Sequence, residues 1–174
     1  MAANSDQGVR INEIEVVNGH NVHFLVSVRN LVAMQSRPLI LEHFNNCRNF
    51  PTSWRLRIVY EQEPETGKVS CSVSLTRTDF GNGYVNISVS VSYLDNNDGD
   101  FRFSGEICNG QMFSGSVTEG YIEEKRHPGY ISHIFSLGLI LRISMHIRYC
   151  HTAVKIYAEE SLSNDRKKMK LSKL

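Results

Sequence analysis

Four stretches of this chain alternate apolar and polar residues with period two, and that alternation constrains the fold more than any other feature. In Trp54–Tyr60, the residues Trp54, Leu56, Ile58 and Tyr60 share one side. In Val69–Thr76, Val69, Cys71, Val73 and Leu75 alternate with Ser70, Ser72, Ser74 and Thr76. In Val85–Tyr93, Val85, Ile87, Val89, Val91 and Tyr93 alternate with Asn86, Ser88, Ser90 and Ser92. In Leu139–Tyr149, Leu139, Leu141, Ile143, Met145, Ile147 and Tyr149 oppose Arg142, Ser144, His146 and Arg148. Successive side chains of a strand point to opposite faces, so each stretch reads as a strand with one face buried and one wet.

Turn residues separate these runs: Glu65-Thr66-Gly67, Phe80-Gly81-Asn82-Gly83, Asp95-Asn96-Asn97-Asp98-Gly99 and Cys108-Asn109-Gly110. Shorter strand candidates are Val22–Val28, Leu39–Leu41, Phe101–Phe103, Gly120–Ile122 and Ala153–Tyr157. The spacing predicts an all-β chain, an antiparallel β-sandwich of about eight strands with at most one short helix. Gly129–Leu137 and the tail beyond Ala158 are the helical candidates.

A length of 174 residues fits one domain. The expected division is an N-terminal extension over 1–19, a sandwich over 20–157 and a basic tail over 158–174. Net charge is +1, and Asp165–Leu174 alone carries five positive charges and one negative, so the rest sums to about −3. A folded part with that balance has no excess of cations to neutralise phosphates, and no nucleic-acid partner is expected for it. The basic tail reads as a solvated end, with nuclear import as its sharper reading. Met1–Gly8 lacks the basic and apolar regions of a secretory signal. Ile131–Ile147 is too polar and too short to span a bilayer. A cytoplasmic or nuclear location is expected, with Cys47, Cys71, Cys108 and Cys150 as free thiols and Asn86-Ile87-Ser88 an accidental glycosylation triplet.

No nucleophile elbow, phosphate loop, zinc-protease helix or dinucleotide fingerprint occurs. Among seven histidines, His20 and His23 stand three apart, and His146, Cys150 and His151 lie close together. None of this matches a familiar metal spacing, so no metal, no cofactor and no catalytic residue is expected. His146 reads as a solvated histidine. Cys71, in the apolar phase of its strand, reads as a buried inert thiol. Asp79, Asp95, Asp98 and Asp100 read as turn residues. The hydroxyl-rich faces say more. Ser70, Ser72, Ser74 and Thr76, with Ser88, Ser90 and Ser92, form sheet surfaces of short side chains, which an extended peptide can approach closely.

The order of landmarks resembles the MATH (meprin and TRAF homology) domain, most closely the speckle-type MATH–BTB adaptors. His23-Phe24-Leu25-Val26-Ser27-Val28-Arg29-Asn30-Leu31 is similar to the family's aromatic first strand. Arg37–Phe50 precedes Trp54-Arg55-Leu56-Arg57-Ile58, which resembles its W-x-L-x-[VI] strand. Val69–Leu75 stands for its serine-bearing strand, and Ile87–Asp95 for the strand after it. Pro128-Gly129-Tyr130-Ile131-Ser132-His133-Ile134 lies in register with W-G-F-x-x-F-I, and Leu139–Ile147 with the closing strand. Pro128 replaces the Trp of that motif, and the outward Tyr of the serine strand falls near Ser72.

The resemblance implies a non-catalytic domain that binds a short linear peptide of a partner protein. Such a domain acts as a substrate-recruiting or scaffolding adaptor, with a ubiquitin ligase as one setting. It implies Ser72, Val89, Tyr121, Arg126, His127 and Tyr130 as the peptide-binding set. The alternative is a structural module that self-associates through its sheet edges or faces, its groove degenerate. No membrane partner is expected.

Overall fold

The computed structural model describes residues 7–28, 35, 37–63, 65, 69–95, 101–123 and 139–151. They form nine antiparallel strands in two sheets, an all-β sandwich. The five-stranded sheet has the order β1 (Gln7–Val16), β2 (Gly19–Val28), β9 (Leu139–Arg148), β6 (Val85–Asp95), β7 (Phe101–Met112). The four-stranded sheet has the order β3 (Leu39–Asn45), β4 (Thr52–Gln62), β5 (Val69–Arg77), β8 (Val117–Glu123). No helix among the described residues is long and apolar enough to cross a membrane.

The core is built from the inward phases of the alternating strands. Phe24, Leu56, Ile58, Leu75, Ile87, Leu141 and Ile143 are fully buried between the sheets, and Trp54, Tyr60 and Tyr93 supply the largest rings. Each fully buried aliphatic side chain contributes roughly 1.5–3 kcal/mol relative to exposure. The period-two reading holds along most of these strands: Cys71 and Val89 are buried, while Ser72 is exposed and Ser74, Ser88 and Ser90 are half-buried. It fails at Ser70, expected on the wet face but buried, and at Tyr149, expected inward but exposed beyond the end of β9. Burial pushes the Cys71 thiol up to about 11, which fits the expected inert thiol.

Several strands run longer than their sequence patterns. β1 lies within the segment expected to stand outside the sandwich. Its apolar residues change phase, Val9 and Ile11 on one face and Ile14 and Val16 on the other, and this masks its period. It pairs with β2 along its whole length through a two-residue turn at Val17-Asn18. β7 continues past Phe103 and through Cys108-Asn109-Gly110, because β6 offers it a partner ladder. The register shift between Val89 and Ser90 leaves Ile107 unpaired, a bulge that absorbs the irregularity. The candidates Ala153–Tyr157, Gly129–Leu137 and the tail lie outside the described residues.

One end of the sandwich concentrates the polar structure. There β9 ends at Arg148 and is followed by Tyr149, whose φ of +65° is a left-handed conformation rare for a bulky side chain. Its N–H donates to Asn18 O at 2.7 Å, fixing the turn that carries Cys150 and His151 inward.

Candidate functional site

The outer face of the four-stranded sheet holds a trough along β5. In register, Arg57, Ser74 and Glu119 form one row, and Val59, Ser72 and Tyr121 the next. Cross-strand neighbours on one face stand about 5 Å apart. The serines in the middle are short. Arg57 flanks them on one side, and Glu119 and Tyr121 on the other. The result is an open depression of about 390 Å³ floored by Ser72 and Ser74. Tyr121 is 59% exposed and presents its ring to solvent beside this floor. β8 lies at the margin of its sheet, so among the described strands one of its backbone edges has no strand partner. Gly120 makes this placement possible. A Cβ there would lie 2.8 Å from the Ile107 side chain and 3.0 Å from its Cα, so glycine lets β8 approach β7.

The sequence-predicted residues fall in three places. Ser72 and Tyr121 are direct partners across the β5–β8 ladder and both line the trough. Val89 sits on β6 in the other sheet with 0% exposure, so its side chain belongs to the core and presents nothing to a surface ligand. Its own alternation with Ile87 and Val91 puts it there. Arg126, His127 and Tyr130 lie outside the described residues.

A second assembly escaped the sequence reading. His20, Cys47, Cys150 and His151 bring one potential ligand atom each to within 4.8 Å of all the others. His20 is the second residue of β2, and Cys47 follows β3, where its N–H donates to Asn45 Oδ1 at 2.8 Å. Cys150 and His151 follow the Tyr149 turn. The two histidine Nε2 atoms face each other at 3.0 Å, with the rings edge to face. Glu13 of β1 reaches across the assembly. Its Oε1 accepts from Asn45 Nδ2 at 3.1 Å and stands 2.9 Å from His20 Nδ1; its Oε2 stands 3.1 Å from His43 Nε2. Both histidine contacts are close, yet neither has the angle of a linear hydrogen bond. Burial pulls the His43 pKa down, partly offset by Glu13. Burial, with Cys47 adjacent, pushes the Cys150 thiol up.

The only local signal for this assembly is the adjacent pair Cys150-His151. Successive residues of a strand point apart, so the pair converges only because a turn follows β9. His20, its partner, lies 131 residues away.

No protein-family model matches the chain, and no curated protein matches it significantly.

Proposed function

We propose that this chain is a non-catalytic interaction domain that binds a short extended peptide of a partner protein along the β5–β8 face. The observation that carries the reading is the trough itself, a floor of two serines walled by Arg57, Glu119 and the exposed ring of Tyr121. Short floor residues admit a peptide main chain, the edge of β8 that pairs with no other described strand offers backbone groups, and the flanking ring and charges supply side-chain selectivity. The MATH-like reading belongs to this proposal and would make the domain a substrate-recruiting or scaffolding adaptor. A small interface of this kind gives micromolar affinity, since ordering the peptide offsets much of the contact energy. Selection of a random peptide library on the full chain tests it. Selected peptides should bind the wild type and lose binding to folded Ser72→Arg, which fills the floor, and to Tyr121→Ala.

A second reading rests on β1. This outer strand exposes Val9, Ile11, Ile14 and Val16. An apolar sheet edge is a template for pairing with another chain, and a self-associating module would use it. Sedimentation of the purified chain separates the readings. A stable oligomer dissociated by Ile11→Lys supports the second, and a peptide-binding monomer opposes it.

A further inference from the structure

We propose that His20, Cys47, Cys150 and His151 bind a single Zn²⁺ ion in tetrahedral coordination, a structural metal centre that ties the two sheets together at one end of the sandwich.

Three observations carry this. The first is convergence: four ligand atoms of the two types that zinc prefers all lie within 4.8 Å of one another. With Zn–N about 2.0 Å and Zn–S about 2.3 Å, a tetrahedral site has edges of about 3.3–3.8 Å. The two imidazole Nε2 atoms stand 3.0 Å apart, near such an edge. Two sulfur and two nitrogen ligands select zinc among the common divalent ions, and four donors gathered this tightly leave room for one ion rather than two.

The second is the support around the ligands. Metal-bound histidines usually direct their other ring nitrogen to a carboxylate. Glu13 stands on that side of His20, Oε1 2.9 Å from Nδ1 but off the angle of a hydrogen bond, while Nε2 faces the cluster. The same carboxylate holds Asn45, which in turn fixes the Cys47 backbone. Asn49 Nδ2 donates to His151 O at 3.2 Å, joining the Cys47 loop to the turn that bears the other two ligands.

The third is burial with access. His20, Cys47 and Cys150 are buried and His151 is half-buried. A hollow of about 480 Å³, lined by His20, Cys47, Asn49 and His151 among others, opens beside them and gives the ion a route in.

The chemistry balances without a redox step. On binding, each thiol gives its proton to solvent and each sulfur donates a pair to the metal. Two thiolates cancel the dication and the imidazoles stay neutral, so the buried unit carries no net charge. The centre links the loop after β3, in one sheet, to the ends of β2 and β9, in the other. It acts as a clip closing a very long loop of chain.

The test uses the full chain purified without a metal-affinity tag and kept reduced. Elemental analysis should find about one zinc per chain. After chelation, added Co²⁺ should give the visible d–d bands of tetrahedral cobalt with a thiolate charge-transfer band. Cys47→Ser and Cys150→Ser should lose the stoichiometric zinc, while Cys71→Ser and Cys108→Ser keep it. Glu13→Gln, which leaves all four ligands in place, should weaken zinc affinity about 10–100-fold. If a cysteine variant fails to fold, His151→Asn, altered at the half-buried ligand, reads the same loss of zinc and a shifted cobalt spectrum. The proposal is overturned if the reduced wild type neither carries zinc nor develops the cobalt spectrum. Equal zinc in wild type and His151→Asn, or a Cys47–Cys150 disulfide in chain purified from a reducing cytosol, overturns it too.

Discussion

Arg77 and Asp79, two residues apart at the end of β5, meet in a bidentate ion pair: Arg77 Nε and Nη2 donate to Asp79 Oδ2 and Oδ1, each at 2.9 Å. The Arg77 side chain is fully buried. Its Nη1 donates to Gly83 O and Met112 O at 2.7 and 2.8 Å, and its guanidinium lies over the Phe50 ring. Asp79 also accepts from the Ser53 and Gly81 N–H groups at 3.0 and 2.9 Å. One ion pair thus joins the loop after β5 to β4, the β5–β6 turn and the end of β7. Removing one partner leaves the other buried without its counter-charge, which costs about 3–5 kcal/mol. Arg77→Ala and Asp79→Ala should each lower unfolding free energy by that order in urea titrations. The double variant should lose less than the two added together.

The same pair sets a pH dependence. Burial alone would raise the Asp79 carboxyl pKa. The hydrogen bonds from Arg77, Ser53 and Gly81, with the Arg77 charge, outweigh it and hold the group below the usual carboxylate range. A depressed folded-state pKa contributes stability that is present above the unfolded value of about 3.9 and is lost as pH falls through the folded value. Melting curves should therefore show wild type well above Asp79→Asn at neutral pH, with the gap closing below about pH 4.

Gly19 begins β2 where it passes Arg148 of β9. A Cβ at Gly19 would lie 1.8 Å from Ile147 O, a backbone atom that a side-chain rotation cannot move. Gly19→Ala should lower the melting temperature clearly and loosen the β2–β9 ladder, with faster amide exchange at Ile147 and Arg148. Gly110→Ala, where the added Cβ meets nothing within 4 Å, is the control and should change little.

Ile143 is fully buried on β9, the strand paired on both sides within the five-stranded sheet. Ile143→Ala should cost about 2–5 kcal/mol through lost burial and the cavity it leaves. The chain's single tryptophan, Trp54, is buried and its indole N–H donates to Thr52 Oγ1. Its emission should shift to the red on unfolding and report this loss directly.

The sandwich was legible because β4, β5, β6 and β9 each bury one face, so their composition carries the period. β1 was not, since its apolar residues switch faces between Ile11 and Ile14. β7 outruns its sequence pattern because Asn109-Gly110 has turn chemistry, which pairing with Ile87 and Ser88 overrides. In the trough, Ser72 was legible from its outward phase. Val89 came from the family resemblance against its own inward phase, and the structure follows the phase. The histidine–cysteine assembly was not legible, because its ligands meet only through turns at Asn45 and Tyr149 and the pairing of β2 with β9.

On the proposed function, the serine floor beside Tyr121 receives a peptide. The most direct measurement is fluorescence polarisation of a library-selected peptide titrated with the full chain and with Ser72→Arg, both verified as folded by Trp54 emission. The expected result is micromolar binding to the wild type and a loss of at least about tenfold, roughly 1.4 kcal/mol, in Ser72→Arg. Equal affinity for the two proteins, or no peptide selected at all, would contradict it.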